Sequence, residues 1–345
     1  MNYDEIMRSI TRGLTGNRDR DVKYLMEQSE AYKTHELARE ILRGIGRLMY
    51  EVAPPAKRGG IGRAGSNTAF GIQAAIEEVE FQMYKKNYSR AFGILESIIR
   101  KLETDKGELK MFRDDSVSEY HHFRNPLEEI LYKELAKPKR TLRRIPEDIG
   151  QLYFIYGNLL FELKRFDEAS VALKKAIMIN PINVDAIFEL AEISKLCGSL
   201  EDYYATSKKC LSLSYTGKSL ARCYRNIGFY FVELKEYDVA TALFHVSMNY
   251  DRQTTMAQSE LYYIQQLTGE TAPVPSIDEV NKVFEKYNLQ LGPSNLIVSI
   301  AATLGKDAEK RGHFGAARFF YSILYDLTFD DEVREWLVNL PNEDS

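Results

Sequence analysis

The sequence has little of what marks catalytic or secreted scaffolds. Its three cysteines, Cys197, Cys210 and Cys223, fall 13 residues apart. That spacing matches no zinc site and no thioredoxin-type pair, and an odd count without Cys-x-x-Cys argues against a disulfide framework. All three are expected to be small core residues of a protein kept in a reducing compartment. The five histidines are scattered, and no Ser-His-Asp or Cys-His set can be assembled from them. No catalytic residue, cofactor site or metal site is therefore assigned, and the chain is read as non-enzymatic. Long apolar runs are also missing. The most apolar stretch, Leu152 to Leu163, is too short to cross a bilayer and contains Asn158 and Glu162. The opening MNYDEIMRSITRGLTG has no apolar core of signal-peptide type, so a cytoplasmic location is expected. Neither sign of charge dominates: charged residues are 28%, well mixed, with a net charge of -4. Such a balance gives no global attraction to nucleic acid or to acidic membranes.

What is present is core-forming material. Hydrophobic residues make up 44% of the 345, and there are 22 Tyr and 17 Phe. Disorder is not the expected state of such a composition. Rings in this number can serve both packing seams and binding faces.

Internal repetition then decides the fold class. From Gly150 the chain reads GQLYFIYGNLLFELKRFDEASVALKKAIMINPIN, a unit of 34 residues. Tyr153, Gly157, Leu160, Ala169, Leu173, Ala176 and Pro181 occupy its positions 4, 8, 11, 20, 24, 27 and 32. Small Gly157 and Ala169 let two helices approach at a crossing, and Tyr153, Phe166 and Leu173 fill the space around it. Asp167 and Glu168 suit the first turn of the second helix, and Pro181 stops it. A weaker unit follows from Val184, with Leu190, Ala191, Gly198 and Cys210, but Tyr203 where alanine is wanted. A third, from Ala221, has Tyr224, Ile227, Gly228, Phe231, Tyr237, Ala240, Phe244 and Ser247. Divergent units are read from Ile72 (Tyr88, Ala91, Leu95 and Ile98, with Val79 in place of glycine) and from Val298 (Leu304, Gly305, Ala308, Gly312, Phe314, Ala317, Tyr321 and Leu324).

This pattern resembles the tetratricopeptide repeat (TPR). The resemblance implies an all-α, right-handed α-solenoid of antiparallel helix pairs, with turns near Lys164, Gly198 and Lys235. Around it we read an N-terminal helical cap (1–52), a Pro/Gly linker (53–66), a degenerate helix pair (67–105) and a non-repeat insertion (106–149). Three repeats (150–251) and a C-terminal helical extension (252–345) complete the chain. Within the insertion we expect an alternating stretch around Met111 and Tyr120, a short helix from Pro126 to Ala136 and a basic run, Lys137 to Arg144. An extra helix is expected from Ser276 to Tyr287, and paired helices over Asp21 to Tyr32 and His35 to Glu51.

Several motifs invite chemistry and are read plainly instead. Gly60 to Gly65 spells G-x-G-x-x-G, but Pro54-Pro55 precedes it rather than a strand, so it is linker. His121 and His122 lie near Asp114, Asp115 and Glu119, yet neighbouring side chains on an extended stretch point to opposite faces, and no metal is assigned. The basic run is flanked by Glu128, Glu129, Glu147 and Asp148 and is read as solvated or internally paired, so nucleic acid is not the expected partner.

In TPR proteins the concave face is lined by the first helix of each pair. The resemblance therefore implies a groove lined by Phe154, Asn158 and Phe161, then Phe188, Glu192 and Lys195, then Arg222, Arg225, Asn226, Phe229 and Val232. Such a surface suits a protein or peptide ligand of some carboxylate character. Compared with the carboxylate clamp of chaperone-tail-binding TPR domains, Asn158 and Arg222 fit and Phe154, Glu189 and Asn226 do not, so chaperone tails are not implied. The layout resembles bacterial TPR proteins. The leading expectation is a non-enzymatic adaptor binding a protein or peptide. The alternatives are a peptide-responsive regulator resembling bacterial quorum-sensing TPR regulators, and a nucleic-acid-associated scaffold.

Overall fold

A computed structural model describes residues 3–35, 69–104, 112–145, 148–270 and 273–341, together with parts of 37–48. The 53–66 linker and its glycine motif lie outside the described residues, as do Met111 and Glu147. The chain divides into two compact units, Met1–Gly107 and Glu108–Ser345. Among the described residues no helix is long and apolar enough to cross a membrane.

The first unit holds α1 (Tyr3–Arg12), α2 (Arg18–Ala31), α3 (Ala69–Tyr84) and α4 (Tyr88–Glu103). Ile6, Ile10, Leu25, Ile41 and Ile45 form one buried cluster. The turn between α1 and α2 is anchored by the buried Asp21, whose carboxylate accepts from the backbone amides of Thr15 (2.7 Å) and Gly16 (2.9 Å). Helices α3 and α4 pack on each other. Val79, standing where the repeat pattern wants glycine, is fully buried, as are Ala91 and Leu95 of α4.

The second unit begins with the insertion. Strand β1 (Ser118–His121) pairs in parallel with β2 (Thr141–Arg144), Ser118 opposite Thr141, and α5 (Pro126–Ala136) connects them. The extended stretch around Tyr120 was legible in sequence; its pairing with the basic run was not. Asn125 caps α5 by accepting from the Glu128 amide, and Pro126 sits in the first turn, where no amide is needed. The repeats follow as α6 (Ile149–Glu162) with α7 (Phe166–Ile179), α8 (Val184–Leu196) with α9 (Leu200–Leu211), and α10 (Gly217–Glu233) with α11 (Tyr237–Tyr250). Then come α12 (Met256–Thr268), α13 (Ile277–Lys286), the pair α14 (Asn295–Lys310) and α15 (Phe314–Thr328), and α16 (Asp331–Asn339). Each repeat helix packs on the next in sequence, and α14 also packs on α5.

The pairs have the close crossings and tight turns that the repeat pattern predicts. A side chain added at Gly157 would lie 2.7 Å from Leu173, at Gly228 2.8 Å from the Phe244 ring and at Gly305 2.4 Å from the Tyr321 ring. At contacts this close a methyl group would force the facing side chain to shift. Every pair also turns through one left-handed residue: Lys86 (φ 57°), Lys164 (60°), Gly198 (79°), Lys235 (62°) and Gly312 (73°). The amide just after it reaches back five residues, as in Arg165 to Leu160, Ser199 to Ser194 and Glu236 to Phe231, each 2.9 Å. This is the carbonyl-capping bond of a Schellman turn. In the weaker second unit, Tyr203 in the alanine position is buried and packs edge-on to Phe229 at 5.8 Å.

One expectation needs correction. Cys210 and Cys223 are core residues, but Cys197 is exposed, because it is the C-cap of α8 beside the Gly198 turn. Helix α12 falls within the expected helical extension of 252–345 and opens no recognisable repeat.

Candidate partner-binding face

The face predicted from the first helices of each pair starts from local order in α10. Thr216 caps it in a reciprocal capping box with Ser219, which sets the helix phase. Arg222, Arg225, Asn226 and Phe229 then fall at spacings of three and four, which cluster on one side. The structure separates them by depth. The Arg222 guanidinium lies 4.6 Å above the ring of Phe188 and donates to Glu189 Oε1 at 3.1 Å, with Glu192 4.0 Å away. Phe188 itself is buried at 1% exposure, so it supports the arginine from below rather than offering a surface. Lys195 pairs with Glu192 and sits over two rings, Tyr203 at 5.0 Å and Phe229 at 4.9 Å. Cations over ring faces are held by the ring quadrupole, more strongly where water is partly excluded.

Arg225 and Asn226 have turned inward. Arg225 pairs with Asp251 at 3.2 Å, and the two side chains are only 13% and 12% exposed. Burial pulls the Arg225 guanidinium below its ordinary value, with Asp251 opposing that shift. Asn226 is buried and donates to Ser207 Oγ at 3.3 Å. Val232 is also buried. On α6, Phe154 is half-buried, Phe161 meets Phe166 edge-on at 5.5 Å, and the Asn158 Oδ1 atom is buried with no hydrogen-bond partner among the described residues. The predicted set thus resolves into an accessible cluster of Glu192, Lys195, Arg222 and Phe229, with Phe188, Arg225 and Asn226 beneath it.

Glu189 is the acid that holds Arg222. Sequence reasoning missed two contributors. Tyr203 carries one of the rings under Lys195; burial pushes its hydroxyl pKa well up, helped by nearby Glu192. Glu260 of α12 is half-buried within electrostatic reach of Tyr203, Lys195 and Glu233. Burial raises its carboxyl, Lys195 opposes the shift and Glu233 adds to it. The helical periodicity of 256–268 was the available signal.

His121, His122 and one arginine of the basic run are used in packing the insertion, while Lys137, Lys139, Arg143 and Arg144 are exposed. His122 donates Nδ1–H to the Ile145 carbonyl (2.9 Å), while His121 Nδ1 faces the carbonyls of Met178 and Ile179. Arg140 is spent on Asp114 (3.0 Å) and Glu119 (3.1 Å). Glu128 is fully buried, accepting from Arg124, Tyr215 and Asn180.

The sequence matches no protein-family profile and no curated protein. Among solved structures, the chain is similar to BtubC from P. vanneervenii, at 13% identity over 94% of each chain with a TM-score of 0.34. It is similar to the anaphase-promoting-complex hetero-tetramer Cut9–Hcn1 at 12% identity, over 93% of this chain and 60% of that one, with a TM-score of 0.33. It is also similar to the P58(IPK) TPR domain at 10% identity, over 97% and 95%, with a TM-score of 0.29. Likenesses at this level carry no functional argument, and the fold rests on the helix pairs and turns described above.

Proposed function

We propose that this chain is a non-enzymatic, cytoplasmic adaptor that binds another protein or a peptide along the first-helix face of residues 150–251. The observation that supports this reading most directly is the accessible cluster of Arg222, Glu192, Lys195 and Phe229. It brings charge-assisted donors, acceptors and ring surface from successive repeats onto one side. Aromatic residues and arginine are among the residues that protein interfaces enrich. Arg140, the central arginine of the basic run, is occupied within the insertion, which weighs against the nucleic-acid alternative.

The test is quantitative capture from a native lysate by the full chain and by Phe229→Ala. That substitution removes one ring under Lys195 without opening an ion pair. A specific partner lost from the variant, with an unchanged melting curve, supports the proposal. Partners captured equally by both proteins refute it. Arg225 is unsuitable for this test: its nearly buried pair with Asp251 is structural, and breaking it leaves an uncompensated charge.

A further inference from the structure

Resting on the adaptor reading, we infer that the segment docking on this face is a cationic amphipathic helix of another protein, and that α12 supplies its apolar seat. Helix α12 buries only Ala257 and Ile264. Met256, Tyr263 and Leu267 remain 64%, 50% and 49% exposed. Their spacings of seven and four place them on one stripe of the helix. Glu260 lies beside the same stripe, and α12 packs on α10, the helix that carries Arg222, Phe229 and Glu233, so the apolar stripe adjoins the aromatic cluster.

The charge balance of that combined face selects the sign of the occupant. Each cation on it already has an acid: Arg222 has Glu189, Lys195 has Glu192 and Arg225 has Asp251. Glu233 and Glu260 are additional carboxylates, and Glu233 adds to the burial that raises the Glu260 carboxyl. An acidic ligand would have to displace existing carboxylates from Arg222 or Lys195. A lysine or arginine meets Glu233 and Glu260 without breaking any pair. A helix with basic residues on one side and leucine-like residues on the other satisfies both parts of the face at once, in the helix-in-groove manner.

The experiment is fluorescence polarisation of the full chain against a labelled 18-residue peptide of leucine and lysine at helical spacing. Comparison peptides carry glutamate for lysine, or the same composition scrambled. Expected is saturable binding of the basic amphipathic peptide alone. It weakens at least tenfold in Glu260→Lys and in Tyr263→Ser/Leu267→Ser. It does not weaken in Glu285→Lys, which makes the same charge change on exposed α13. Equal binding of the scrambled peptide, preference for the acidic one, no binding of either, or indifference to Glu260→Lys overturns the inference. So does a concentration-dependent dimer in sedimentation that disappears in Tyr263→Ser/Leu267→Ser, which would assign the stripe to a second copy of this chain. If these arms fail while lysate capture still depends on Phe229, the adaptor reading stands and only the cationic occupant is lost. If capture is indifferent to Phe229, the adaptor reading itself falls.

Discussion

Replacing Glu128 with alanine should be the most damaging single change in the insertion. Its carboxylate is fully buried. It accepts from Arg124 Nε (2.7 Å), the Arg124 amide (2.8 Å), Tyr215 OH (2.8 Å) and Asn180 Nδ2 (2.9 Å). It thereby ties α5 to the end of α7 and to the segment before α10. Burial alone would pull the Arg124 guanidinium down, but the adjacent Glu128 pushes it up. Removing one partner of a buried ion pair costs about 3–5 kcal/mol, because the other charge is left uncompensated. Here the cost should lie near the low end, about 3 kcal/mol, since the Arg124 side chain is 31% exposed and keeps Asp185 at 3.3 Å. Glu128→Gln keeps the shape and part of the acceptor capacity, and should cost about 1–3 kcal/mol. The assay is urea unfolding followed by Trp336, the chain's single tryptophan, which packs against Tyr321 in the second unit and so reports that unit. Glu129→Ala is the control, because its pair with Lys133 is exposed and should contribute under about 1 kcal/mol. Equal midpoints for Glu128→Ala and Glu129→Ala would refute the argument that this carboxylate organises the insertion.

Three further outcomes follow from the packing and the turns. Gly228→Ala places a methyl 2.8 Å from the buried Phe244 ring and should cost about 1–3 kcal/mol; Gly93→Ala, with nothing within 4 Å in α4, should stabilise its helix by up to about 1 kcal/mol in a circular-dichroism melt. Lys235→Gly removes the left-handed strain at φ 62° and should stabilise by up to about 1 kcal/mol in the same melt, whereas Lys235→Val should destabilise. Burial lowers the His245 pKa below its unfolded value, so the unfolded chain binds that proton more readily. Stability from this group is therefore complete above about pH 6.5 and falls as the pH drops toward the folded value. His245→Gln should flatten that part of the stability profile.

The repeat pairs were legible from sequence because their defining contacts are local. Gly157 meets Leu173 and Gly228 meets Phe244 across a single turn, 16 residues apart. The small-to-large pattern and the turns at Lys164, Gly198 and Lys235 are therefore written within each unit. The helix over Pro126–Ala136 was legible for the same reason, since its cap and its proline are adjacent residues. Depth on the predicted face was not legible. Arg222, Arg225 and Asn226 share a helix face in sequence, but only packing decides that Arg222 stays accessible over Phe188 while Arg225 closes on Asp251 and Asn226 on Ser207. Burial of Glu128 depends on Asn180 and Tyr215, 52 and 87 residues away. A buried charge is stabilised by donors that converge in space, and no local periodicity announces them. The same holds for α12: its amphipathic spacing is in the sequence, but its packing on α10 and α11 arises only once successive repeats stack and bring one side of each helix together.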